Sequence, residues 1–201
     1  MISAILIFVV LLFIFDFYQR FYLPKNRTKT WPELAALTGL SYKPPTGPWS
    51  NRSQPHVTGM YRGHYLKLDL VKVAHGVVDD GIALYQTRIV LSMKSKLYSS
   101  LSLERRWWFW SAGNQIDDED FKEFGRYFVI ENQPKDFAVR VLASPELRQR
   151  LMKAKVLKLK LSDLGLSFEK SGVESNIDSL RMLFDLVCDL ANTAEQVTKA
   201  K

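Results

Sequence analysis

Three histidines, His56, His64 and His75, are the first candidates for chemistry, because an imidazole can hold a metal or move a proton near neutral pH. They fall on a loop, a strand start and a second loop; the one acid at helical spacing from any of them, Asp79 four residues after His75, lies in that same loop and not on a helix. The pattern predicts solvated or locally bonded rings and no metal site. Asp79-Asp80-Gly81 lacks the extended ligand pattern of a calcium loop and reads as a turn. Ser167-Phe168-Glu169-Lys170 matches S-x-x-K, but that chemistry needs both side chains on one helix face, and on a strand they point apart. No phosphate-binding Gly-rich loop, zinc-protease helix or nucleophile elbow occurs. The lone cysteine, Cys188, leaves no intrachain disulfide or thiolate cluster and falls on the apolar side of the last helix. No catalytic residue, cofactor or metal is therefore expected.

One stretch, ERRWWFWSAGNQIDDED from Glu104 to Asp120, stands out: two arginines and four consecutive aromatic residues, then a run of acids. On a strand with one wet face, two of the four rings would be exposed, and each carries roughly 150 to 250 Å² of potential burial. At ~25 cal/mol per Å² that forfeits about 4 to 6 kcal/mol per ring, so a second surface is expected there. That surface can be the protein's own core, a partner or lipid headgroups. Arg105, Arg106, Trp107, Trp108 and Trp110 are the candidate membrane or partner contacts. The acids Asp117, Asp118, Glu119, Asp120 and Glu123 read as a solvated loop or helix start, with Arg148, Arg150, Lys153 and Lys155 as a basic counterpart. These acids also argue against nucleic acid, since they would repel phosphate.

Charge and hydropathy place this stretch near a membrane. The 201 residues are 47% hydrophobic and 24% charged, too apolar for a disordered chain and too charged for a multispan protein. Residues 1 to 100 carry 12 Lys and Arg against 5 Asp and Glu, and residues 101 to 201 carry 16 against 16, so the whole excess of +7 lies in the first half. Ile2 to Phe15 is unbroken apolar or small sequence covering about 21 Å as a helix. Phe17, Tyr18, Phe21, Tyr22 and Leu23 extend it to spanning length. No basic residue precedes the run and no small-residue cleavage site follows it, so a retained span is expected in preference to a cleaved signal or an in-plane helix. Arg20 near the end of the span and Lys25, Arg27 and Lys29 after it are the expected headgroup contacts. Their position predicts an outside N-terminus and a cytoplasmic domain, with the sequons at Asn26 and Asn51 as chance matches. The expected division is an anchor over 1–23, a basic tether over 24–30, one domain over 31–197 and a tail over 198–201.

The elements that would position these residues follow from periodicity. Thr30-Trp31-Pro32-Glu33 has capping-box spacing for a helix to about Leu37 that ends at Gly39. After the Pro-rich loop 43–55 the period becomes two. Strands 57–61 and 65–73 join at Arg62-Gly63, with Leu66, Leu68 and Leu70 inward and Lys67 and Asp69 outward. A strand over 83–93 points Tyr85, Thr87, Ile89 and Leu91 to one face. Another strand over 127–131 precedes helices over 134–143 and from Ser144 to about Ala154. The run 156–162 alternates Leu157, Leu159 and Leu161 with Lys158 and Lys160 and pairs with a strand containing Phe168. The last helix, from Ser175 or Asn176, buries Ile177, Leu180, Leu183, Phe184, Val187, Leu190, Ala191 and Ala194. The fold class is α+β, a mostly antiparallel sheet covered by helices and preceded by a single N-terminal transmembrane helix.

The succession WPELAALTGL, VTGMYRGHYLKLDL, LYQTRIVL, FGRYFVIE and LASPELRQRLM resembles a family of uncharacterised bacterial proteins with one N-terminal span and a cytoplasmic domain. The resemblance implies location and fold, and no activity. Together these observations predict a single-pass protein of a bacterial inner or thylakoid-type membrane. It would act by binding, as an accessory, assembly or scaffold component of a membrane complex, with lipid and a membrane-complex protein as partners. The competing expectation is a tethered enzyme or small-ligand domain with a pocket around the Pro-rich loop, Tyr61, His64 and Tyr85.

Overall fold

The computed structural model describes residues 10–11, 28–47, 53–72, 77–78, 81–82, 85–106, 121–134 and 136–199. The expected span apart from Val10 and Leu11, together with Arg20, Lys25 and Arg27, lies outside the described residues. So do Trp107, Trp108, Trp110, His75 and Asp117 to Asp120. Among the described residues no helix is long and apolar enough to cross a membrane.

Helix α1 (Trp31–Thr38) carries Pro32 in its first turn and ends at Gly39, whose φ of 68° is the left-handed conformation of a helix terminator. The expected capping box does not form. Thr30 is itself helical, which takes its hydroxyl away from the first-turn amides, and that hydroxyl donates instead to the Ser175 carbonyl at 2.7 Å. Strand β1 (Ser41–Lys43) follows, then β2 (His56–Tyr61) and β3 (His64–Lys72). These two form a hairpin on Arg62 and Gly63, both at positive φ (48° and 81°), the type I′ geometry that matches strand twist. The remaining elements are β4 (Tyr85–Leu91), β5 (Ser100–Arg105), α2 (Lys122–Tyr127), β6 (Phe128–Gln133), α3 (Phe137–Val141), α4 (Pro145–Lys153), β7 (Val156–Ser162), β8 (Gly165–Ser171) and α5 (Ile177–Lys199). Val77–Val78 and Gly81–Ile82 pair separately.

The eight strands make one sheet in the order β1-β2-β3-β4-β8-β7-β5-β6, every neighbour antiparallel. One face is mainly apolar. Leu66, Leu68 and Leu70 stand opposite Leu91, Ile89 and Thr87, and Leu166 and Phe168 continue the same rows. Helix α5 lies over β4 and β8, and α3, α4 and α1 pack beside it, so Phe168, Phe184 and Leu159 are fully enclosed. This is the α+β architecture expected from the patterns.

Four further local expectations fail. The alternation of β7 breaks at its start, where a bulge opposite Glu169 and Lys170 inserts Leu157; Val156 is buried and Leu157 is only half-buried. Asp69 does not face water: it is 6% exposed, because Arg88 and Lys67 neutralise it on the sheet's polar face. Tyr127 ends a helix and does not start a strand, and the helix expected over 134–143 is confined to Phe137–Val141. The acids that Arg148 and Arg150 were expected to face, Asp117 to Asp120, lie outside the described residues. Arg148 donates to the Leu142 and Ala143 carbonyls and lies 4.7 Å from the Phe121 ring centre, and Arg150 pairs with Asp189. Glu123, the one described member of that run, is exposed.

Candidate functional site

Antiparallel pairing gives the sheet two ends. The chain arrives at one of them. Trp31, fully buried, donates its indole N–H to the Glu174 carbonyl at 3.0 Å, and Thr30 binds the Ser175 carbonyl, so the first residues of α1 are stapled to the segment joining β8 to α5. Thr87 completes the staple from inside, its hydroxyl donating to the Gly172 carbonyl and accepting from the Glu174 N–H, both at 2.8 Å. The Glu174 carboxylate caps α5, accepting from the Ser175 and Asn176 amides and from Ser179, and it also pairs with Lys170. Burial alone would raise its pKa, but these donors outweigh burial and hold it below the usual carboxylate range.

Arg105 and Arg106 come to the same end. Glu104 stands opposite Lys158, and Lys158 opposite Glu169, which brings Arg105 and Arg106 level with Lys170 and Ser171, two strands away or about 10 Å. Both arginines are half-buried. The Arg106 backbone donates to the Tyr127 carbonyl at 2.8 Å, and its Nε is buried without a hydrogen-bond partner among the described residues. Around them, exposed Lys29, Lys72, Arg126, Lys153 and Lys155 and half-exposed Tyr127 share this end with exposed Glu33, Glu123 and Asp178. Among the described residues of this rim, the basic side chains outnumber the acidic ones.

Between the two ends, the face that none of the described helices covers carries a ladder of alternating charge. Asp69, Arg88, Glu169, Lys158 and Glu104 stand in consecutive opposition across five strands. Arg88 grips Asp69 with two bonds of 2.8 and 2.7 Å. Burial pushes the Asp69 pKa up, but the bonds from Arg88 and Lys67 outweigh it and the carboxyl is held low. Lys158 is pushed up, first by its bond to Glu104.

The opposite end gathers a second polar network. Tyr61 and Arg62 bind Asp185, Arg62 and Arg150 bind Asp189, and buried His64 spans the Ser92 carbonyl (3.1 Å) and Asn192 Oδ1 (3.0 Å). His64 is therefore locally bonded, as is His56 through the Gln54 carbonyl. The pocket expected from Tyr61, His64 and Tyr85 does not assemble, because Tyr85 pairs with Lys72 at the other end of the strands. Among the described residues no three His, Cys, Asp or Glu side chains are grouped to hold a metal ion. Cys188 is buried beneath Tyr61, its thiol 3.9 Å from the Tyr61 carbonyl. The acids of α5 were legible only in part. Glu195, 5% exposed, follows Val187 and Ala191 at helical spacing on the apolar stripe, a signal that it must have a buried partner.

No protein-family model and no curated protein matches the chain. Among solved structures, the crystal structure of the mycobacterial trehalose monomycolate transport factor A, TtfA, matches with a TM-score of 0.53 at 14% sequence identity. The match covers 87% of this chain and 95% of that chain. The likeness is one of fold. It extends over most of both chains.

Proposed function

We propose that this chain is a membrane-anchored, non-catalytic binding protein, an accessory or scaffold component of a membrane complex, whose α+β domain stands on the bilayer by its tether end. The observation that carries this reading is the shared end. The chain enters the fold at Thr28 to Trp31, and Arg105 and Arg106 reach the same rim through an independent route, the β5–β7–β8 register. An apolar leader ahead of Thr28 would therefore hold that rim against the headgroups. There Lys29, Lys72, Arg105 and Arg106 would each contribute ~1 kcal/mol against anionic lipid. Arg20, Lys25 and Arg27 belong to the same contact, and Trp107, Trp108 and Trp110, next in the chain after Arg106, extend it with rings suited to headgroup depth. The span supplies effective concentration for encounters with neighbouring proteins in a bacterial membrane. The fold likeness to a protein named as a transport factor is consistent with an accessory role and carries no substrate over to this chain.

The test is orientation. The full chain, with Cys188→Ser and a dye on Lys72→Cys or Lys96→Cys, is reconstituted into phosphatidylglycerol vesicles bearing a headgroup quencher. Quenching is expected at 72 and not at 96, and Arg105→Ala with Arg106→Ala should reduce it. Equal quenching at both positions, or recovery of the chain from cells in the aqueous fraction, refutes the proposal.

A further inference from the structure

The connection from β4 to β5 leaves the fourth position of the sheet and returns at the seventh, so it must cross the ends of β8 and β7 at the end away from the tether. Its sequence, Ser92-Met-Lys-Ser-Lys-Leu-Tyr98, crosses in an alternating pattern. Met93 packs against the core and Leu97 is 2% exposed, while Lys94, Lys96 and Tyr98 turn outward. The crossing is held from below. Glu195 of α5, itself buried, accepts from the Lys94 amide at 2.6 Å and the Ser95 amide at 3.3 Å. A carboxylate spent on two backbone amides fixes the path of the loop, and a fixed loop loses little entropy when something binds it.

We propose that this crossover is a docking site for an acidic, partly apolar segment of a partner protein. It deepens the binding role proposed above and rests on it for orientation. Lys94 and Lys96 make no ion pair among the described residues, whereas neighbouring Arg62 is already taken by Asp185 and Asp189. Lys96 Nζ lies 5.6 Å from the centre of the Tyr98 ring, and that ring is 83% exposed. At the start of the crossing the Ser92 amide donates to the Tyr65 carbonyl and the Tyr65 amide donates to Ser92 Oγ, and Leu164, 91% exposed, caps the β7–β8 turn beside them. Two lysines with no ion pair among the described residues, beside exposed Tyr65, Tyr98 and Leu164, complement carboxylates interleaved with apolar residues. Asp163 is the one exposed acid of the adjoining turn. Distance separates this site from lipid. Strands of seven to nine residues put it roughly 20 to 30 Å from the tether end, beyond the Debye length of about 8 Å at physiological salt.

The test uses the full chain in zwitterionic phosphatidylcholine nanodiscs and a fluorescein-labelled peptide of alternating glutamate and leucine, followed by anisotropy. Saturable binding is expected, with none for the peptide carrying lysine in place of glutamate. Lys94→Glu with Lys96→Glu should weaken binding roughly 10-fold or more, and Tyr98→Ser about 5-fold or more. Arg105→Ala with Arg106→Ala should leave it unchanged. Absence of binding, or binding that neither distal variant alters while its melting temperature matches the parent, overturns the site. Headgroup quenching at residue 96 would instead assign the strip to lipid. Peptide binding in neutral discs does not need the proposed orientation, so loss of the 72-against-96 contrast and loss of peptide binding are separate failures.

Discussion

Replacing Thr87 with Val tests the staple that ties the incoming chain to the domain. Thr87 is fully buried and its hydroxyl serves two partners, the Gly172 carbonyl and the Glu174 amide. In the valine variant the Gly172 carbonyl keeps the Thr87 backbone N–H at 2.9 Å, but the Glu174 N–H is left without a partner. A buried unpaired donor costs about 1 to 3 kcal/mol, and the added methyl returns up to ~1 kcal/mol. The net loss is at most about 3 kcal/mol and about 1 to 2 kcal/mol at mid-range, which is roughly 2 to 8 °C in melting temperature for a domain of this size. Thr87→Ser loses a methyl group, at ~1 kcal/mol, so melting alone does not separate the two variants. Hydrogen exchange does: the Glu174 amide should lose protection in the valine variant and keep it in the serine variant. Because the Glu174 carbonyl accepts from Trp31, a cycle of Thr87→Val with Trp31→Phe should show coupling of about 0.5 kcal/mol or more. Unchanged protection at Glu174, or additive effects in the cycle, would mean that Thr87 does not hold α1 to the sheet.

Acid should act through Asp69. Its folded pKa is depressed, so its pairing with Arg88 stabilises the fold above about pH 4 and is lost as pH falls through the lower folded value. Asp69→Asn should be less stable at neutral pH and should flatten the acid limb, as read from urea midpoints between neutral and acid pH; parallel curves would contradict the pairing. Cys188 should resist alkylation. Burial pushes its thiol up to about 11, so iodoacetamide should label it only after denaturation, and rapid labelling of the native chain, followed by mass spectrometry, would place the thiol at the surface.

The strands that were legible are those whose two faces differ in polarity. Leu66, Leu68 and Leu70 alternate with polar residues because α5 and its neighbours cover one face and none of the described helices covers the other. The Arg62-Gly63 turn and the α5 stripe were legible for the same kind of local reason. Strand β5 was not, because Ser100 to Glu104 alternates only serine with leucine and adjoins the aromatic run, which drew attention to itself. Asp69 looked solvated because its neutralising cation, Arg88, comes from another strand.

The candidate site divides in the same way. That Arg105 and Arg106 are cations beside an aromatic run, that the leader is apolar, and that Lys94, Lys96 and Tyr98 alternate with Met93 and Leu97 are properties of the chain alone, because charge, hydropathy and period are local. Which of them share an end is not local. The tertiary structure decided that the α1 entrance and Arg105-Arg106 meet at one rim while the Lys94–Tyr98 crossing lies at the other. The strand order β4-β8-β7-β5 inserts two late hairpin strands between two earlier ones, and no short-range pattern encodes that pairing, which depends on which apolar faces α5 can cover at once.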